Sequence, residues 1–166
     1  MTRTLTTLSP MERVLFLRKV PLFGELPPAD LQPIAGIAEE RAFAEGDTIA
    51  EQGEPGDAMH IIVSGEVSVI AHHGSGRPGD EHVVAVRSAG DVVGEIAVIT
   101  NEPRMAGLVA RGDVRVLSIA RPQFESILRE RPETALGVIR VLCQRLAEPS
   151  PSTTASGETG TTTTSA

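Results

Sequence analysis

Between Gly46 and Gly65 glycine cuts the chain into pieces too short for a helix. The run Gly46-Asp47-Thr48-Ile49-Ala50-Glu51-Gln52-Gly53-Glu54-Pro55-Gly56-Asp57 is followed by Ala58 to Val63, then Ser64-Gly65-Glu66, then Val67 to Ala71. Glycine supplies positive φ at tight turns, and neighbouring Asp and Glu cap them. Short apolar runs between turn signals spaced about eight to twelve residues apart predict a β-sandwich or barrel. With four Phe and neither Trp nor Tyr, such a barrel is filled with Val, Ile and Leu. A chain of 166 residues is one domain by length, with enough material for a proper core.

A second stretch carries chemistry. Val92-Val93 runs into Gly94-Glu95-Ile96-Ala97, a polar turn follows, and then Pro103-Arg104-Met105-Ala106 leads into another apolar run. Gly94 lets the backbone turn and approach a ligand closely. The residues after it can form one helical turn whose free N–H groups favour an anion. Arg104, ten positions beyond Gly94, can fold back onto the same anion, and its planar fork suits a phosphate. Glu95 repels phosphate but accepts hydrogen bonds from hydroxyls. The pair therefore predicts a ligand with a sugar beside a phosphate.

These two segments, at this separation and after the spaced glycines, resemble the phosphate-binding cassette of cyclic nucleotide-binding domains. That family includes the sensor domain of the catabolite activator protein and the regulatory subunits of protein kinase A. The resemblance runs from about Leu15 to Leu146. It implies a mainly β fold, a jelly roll with N-terminal helices and two C-terminal helices, in which Gly46, Gly53, Gly56 and Gly65 close the turns. It further implies that Arg104 pairs the cyclic phosphate and Glu95 accepts the ribose 2′-hydroxyl. Backbone N–H groups around Ile96, Ala97 and Met105 complete the cradle, and Val69, Val84 and Val93 contact sugar and base. Met105 stands where many relatives carry Ala or Ser, and Val92-Val93 is smaller than the residues usual before the glycine. Gly107 replaces a Thr or Ser associated with holding guanine, which favours cAMP over cGMP. The implied mechanism is a switch: phosphate orders the cassette, a hinge near Arg121 to Leu128 shifts, and the last helix closes over the base.

Around this centre, Ser9-Pro10 reads as the cap and first residue of a short helix through Lys19, with Thr-rich residues 1–9 flexible. A second helix is predicted over Ala29 to Glu40, with Pro33 kinking its start or moving it later. The polar segment His72 to Glu81 reads as a hairpin loop. Strands are expected at His82–Val86, Gly90–Val93, Gly107–Ala110 and Val114–Ile119. Arg121-Pro122 opens a helix through Arg129, and Pro132 opens another through Ala147. On that last helix Leu136, Ile139, Cys143 and Leu146 share one face, widened by Ala135, Val138 and Leu142. The domain is thus expected to span 10–147, and residues 148–166, rich in Ser, Thr and Gly, read as a disordered tail.

Several function classes are disfavoured. A net charge of −7 argues against a nucleic-acid partner. No apolar run approaches the roughly 20 residues that span a bilayer. A lone Cys143 precludes an intrachain disulfide, and no signal sequence is apparent, so a cytoplasmic protein is expected. His72, His73 and His82 lack zinc-like spacing, and His60 has no histidine two positions away. No serine or cysteine has a recognisable base, so neither metal nor catalysis is expected. No cofactor is implied beyond the ligand itself, cAMP, with cGMP the alternative. The expected protein is a sensor, a monomer or weak homodimer, acting on an effector protein or within a longer parent chain. The alternative is the same fold kept as an interaction module with an empty pocket.

Overall fold

A computed structural model describes residues 7–72 and 79–148. The expected flexible residues 1–6, most of the hairpin loop after His72, and the tail from 149 lie outside the described residues. Ser9 starts α1 (Pro10–Leu17) through a capping box. Its hydroxyl accepts from the Glu12 N–H at 3.3 Å, and the Glu12 carboxylate accepts from the Ser9 N–H at 2.7 Å.

The second helix departs from expectation at both ends. α2 (Pro28–Ile37) begins at Pro28 and keeps Pro33 in its interior. The carbonyl that Pro33 leaves without an N–H donor belongs to Ala29, in the first turn, where the loss disrupts little. Burial of Leu31, Ile34 and Ala35 holds the helix in place. Glu39 and Glu40 leave it to start β1 (Glu39–Phe43), because Glu39 pairs with Ser118 and Glu40 with Leu117 on a distant strand.

The remaining strands are β2 (Thr48–Ala50), β3 (Ala58–His72), β4 (Glu81–Arg87), β5 (Val92–Val93) and β6 (Gly107–Ala120). The helix α3 (Glu95–Thr100) separates β5 from β6, and α4 (Arg121–Glu130) and α5 (Pro132–Ala147) follow. All pairings are antiparallel. The long strands β3 and β6 pair with each other, β1 and β2 join β6 at its two ends, and β4 and β5 join β3. This is the expected jelly-roll architecture with flanking helices.

Two strands expected on each side of Gly65 are in fact one. β3 runs unbroken through Ser64-Gly65-Glu66, and β6 runs through the gap expected between Ala110 and Val114. Pairing jumps from Ser64↔Arg115 to Glu66↔Arg111, so the extra residues of β6 bulge out. Gly65, at φ 86°, makes this possible: a Cβ there would overlap the Asp113 carbonyl oxygen. Gly56 also differs from expectation. It is not among the positive-φ residues. What it provides is room, since a Cβ at that position would overlap Ala97 in α3.

The core has two compartments, divided by the strands' period of two. Met59 and Ile61 of β3, with Leu117 and Ile119 of β6, face a helical layer of Leu17, Phe23, Ile34, Phe124 and Val141. Ile62, Val114 and Val116 face the barrel interior with Val67, Val93 and Leu108. Phe23 and Phe124 meet edge to face, 6.4 Å between centroids. The last helix is turned relative to expectation. Thr134, Gly137, Val138 and Val141 are its buried residues, whereas Leu136, Ile139, Cys143 and Leu146 are exposed. Gly137 lets the helix pack closely there, since a Cβ at that position would meet the end of the Leu26 side chain.

Candidate functional site

The cassette is shaped by two left-handed residues. Gly94 (φ 80°) lets the chain turn out of β5 into α3, and Asn101 (φ 58°) ends that helix. Ala97 and Val98 are buried and pin α3 to the barrel. Beyond it the backbone of Arg104 is clamped against the turn preceding β3. Its N–H donates to Glu54 O and its carbonyl accepts from the Gly53 N–H, both at 2.9 Å.

The Arg104 side chain is folded inward and only 5% of the residue's surface is exposed. Nη2 donates to the Ala58 carbonyl at 2.6 Å and lies 3.6 Å from Asp57 Oδ1. Nε and Nη1 are buried without any partner. A buried guanidinium with two idle N–H directions is costly unless something anionic completes it. Those nitrogens belong to a residue that lines a cavity of about 420 Å³.

Glu95 stands on the same cavity, its side chain 16% exposed, with Oε1 3.7 Å from Arg145 Nη1. The structure thus brings Gly94, Glu95, Ile96 and Ala97 to one hollow with Arg104 and Met105. Val69 and Val93 form part of its apolar wall. The Ile96 and Met105 side chains are largely exposed, so these two residues bring mainly backbone to the site.

Val84 is a correction. It is 51% exposed and does not line the cavity. The β3–β4 register steps from Val69↔Ala85 to Ile70↔Val83, leaving Val84 as the unpaired residue of a bulge. Arg145 is the residue that sequence reasoning missed. It belongs to the last turn of α5, in a helix whose apolar pattern gave no sign of a role in the cavity.

The residues match the family model for the cyclic nucleotide-binding domain over 40–131, more than half of the chain. The chain belongs to the cyclic nucleotide-binding domain family. This cyclic nucleotide-binding domain is 36% identical over 113 residues to the cAMP-dependent protein kinase regulatory subunit of Colletotrichum orbiculare, covering 68% of this chain and 27% of that protein. The chain therefore spans about a quarter of the length of the regulatory subunits it matches. Among solved structures it resembles the regulatory domain of Toxoplasma gondii protein kinase A with cAMP, at TM-score 0.71 and 26% identity, covering 84% of this chain and 50% of that one. It also resembles the Thermus thermophilus catabolite activator protein, at TM-score 0.66 and 28% identity, covering 76% and 58%. Domains of this family are regulatory. No helix among the described residues is long and apolar enough to cross a membrane.

Proposed function

We propose that this domain binds cAMP, with cGMP the weaker alternative, and passes the event to a partner protein or to the rest of a longer chain. The observation that carries the reading is the buried guanidinium of Arg104, whose Nε and Nη1 lack partners. A cyclic phosphate supplies acceptors for both, and the N–H groups that open α3 have no acceptor inside the helix. Glu95 accepts the ribose 2′-hydroxyl, while Val69 and Val93 pack against sugar and base. Gly107 offers no hydroxyl to a guanine.

The output runs through α5. Ligand entering beside Glu95 must rearrange the 3.7 Å pair with Arg145, and that pair is a direct link from the cavity to the last helix. A ligand shifts such an equilibrium only by its differential affinity for the two arrangements. A second reading starts from the same pair: Arg145 keeps Glu95 occupied, the cavity stays empty, and the fold serves as an interaction module.

Calorimetric titration with cAMP and cGMP, backed by a thermal-shift screen, decides between them. Binding of cAMP that is lost in Arg104→Ala supports the first reading. Hydrogen bonds to a charged group contribute about 1.5–3 kcal/mol each, so two lost bonds weaken binding roughly a hundredfold or more. Failure of both nucleotides to bind leaves the second reading.

A further inference from the structure

Behind Arg104 lies a group that the binding scheme does not use. His60 is 2% exposed, in the middle of β3. Its Nδ1 lies 2.8 Å from Ser118 Oγ on β6. Strand register puts it opposite Val93, the residue before Gly94. Two residues earlier on the same strand is Ala58, whose main-chain carbonyl receives Arg104 Nη2. An apolar side chain would fill this position in a barrel wall. An imidazole places a titratable group one strand step from the anchor of the guanidinium.

We infer that anion capture at Arg104 is coupled to proton uptake by His60, so that the domain binds a phosphodiester more tightly in acid. This rests on the reading of Arg104 as the phosphate anchor. The charged groups acting on His60 are Arg104 from the cassette, Arg41 from β1 and Asp57 from the turn before β3. Glu39 of β1 lies in the same strand row, as the register partner of Ser118. From β5 the neighbour is the apolar Val93, and from β6 the neutral Ser118.

In the free domain His60 is held neutral, its pKa lowered from 6.5 to about 4 by burial first, then by the positive field of Arg104 and Arg41, against the opposing pull of Asp57. A bound phosphodiester carries one negative charge and offsets the field of Arg104. The burial cost stays, but the proton affinity of His60 rises. Binding and protonation are reciprocal, so a proton that favours the bound state must also strengthen binding. Net proton uptake is confined to the window between the ordinary histidine range and about pH 4, while the gain in affinity is absent at neutral pH and levels off once both states are protonated.

The test is calorimetric titration of the full chain with cAMP at pH 7.5 and pH 5.0, each in two buffers of different ionisation enthalpy. The expected result is uptake of a fraction of a proton per cAMP at pH 5.0 and none at pH 7.5. Affinity at pH 5.0 should be about two- to fourfold higher, and both effects should disappear in His60→Gln. Binding at pH 5.0 without proton uptake, or uptake unchanged in His60→Gln, overturns the coupling and leaves the phosphate reading intact. If His60→Gln does not fold, NMR titration of the His60 ring in the wild-type chain takes its place. A midpoint that rises on saturation with cAMP supports the coupling, and an unmoved midpoint overturns it. A chain that binds no cAMP at either pH overturns the site reading and the coupling together.

Discussion

Arg104 Nη1 occupies the space in which a side chain at position 94 would begin: a Cβ added to Gly94 would overlap it. The glycine at the mouth of the cassette therefore does two jobs. It adopts φ 80°, and it leaves the guanidinium room to reach the Ala58 carbonyl. Gly94→Ala meets both constraints at once. Left-handed backbone strain alone costs roughly 1–2 kcal/mol, and the displaced guanidinium adds to it. The expected outcome is a lowered melting temperature with cAMP binding weakened more than tenfold, read by thermal denaturation and calorimetry on the same sample.

Binding and stability should move in opposite directions at position 104. Nε and Nη1 lie buried without partners, which penalises the unliganded fold. Arg104→Met keeps most of the volume and removes the charge. Buried ion pairs replaced whole by apolar groups are often neutral or stabilised by about 1–4 kcal/mol. Here the charged partner, Asp57, is exposed, so removing the guanidinium strands no buried charge. Denaturant melts should show Arg104→Met at least as stable as wild type while calorimetry shows no cAMP binding. A clear loss of stability would mean that the ion pair with Asp57 and the bond to Ala58 outweigh the burial cost. Arg104→Lys should also bind poorly, because an ammonium offers no bidentate fork.

The Glu95–Arg145 pair predicts a third result. Both side chains are partly exposed, so the pair is worth at most about 1 kcal/mol. Arg145→Ala should leave the melting temperature nearly unchanged and raise cAMP affinity by up to about fivefold, since the ligand no longer has to displace a competitor for Glu95. It should also abolish any ligand-dependent change in hydrogen exchange along α5. Glu95→Ala should weaken binding instead. If both substitutions weaken it equally, Arg145 contacts the ligand rather than competing with it.

Acid should destabilise the domain through His60. Its folded pKa of about 4 lies below the ordinary 6.5 of the unfolded chain. Below pH 6.5 the unfolded state gains a proton that the folded state refuses, so this contribution is complete above 6.5 and is lost as pH falls toward 4. Each tenfold difference in proton affinity between the two states is worth about 1.4 kcal/mol, which makes the whole effect roughly 3 kcal/mol. Urea melts between pH 7 and 4.5 should show the wild type losing stability faster than His60→Gln. Parallel curves would show that His60 is not the group responsible.

What the chain settled by itself was local. Ser9 and Pro10 name a helix start because a cap and a proline at the first helical position involve only neighbouring residues. Gly94, Glu95 and Arg104 could be recognised as a set because they sit within one short segment whose spacing already limits how it folds. Glycine punctuation pointed to a β-sandwich or barrel, and the jelly roll itself came from the resemblance to cyclic nucleotide-binding domains. Tertiary structure decided whatever depended on residues far apart in sequence. Gly65 reads as a turn until the Asp113 carbonyl is found against it, within strands that run on. Leu136, Ile139, Cys143 and Leu146 share a face on paper, yet the helix packs on the core through its flank, burying Val138 with Thr134, Gly137 and Val141 and leaving those four exposed. Val84 left the cavity through a one-residue bulge, and Arg145 entered it from a helix about fifty residues beyond Glu95. Register and helix rotation depend on which distant surfaces fit, and a periodic pattern read along one strand or helix does not contain that partner.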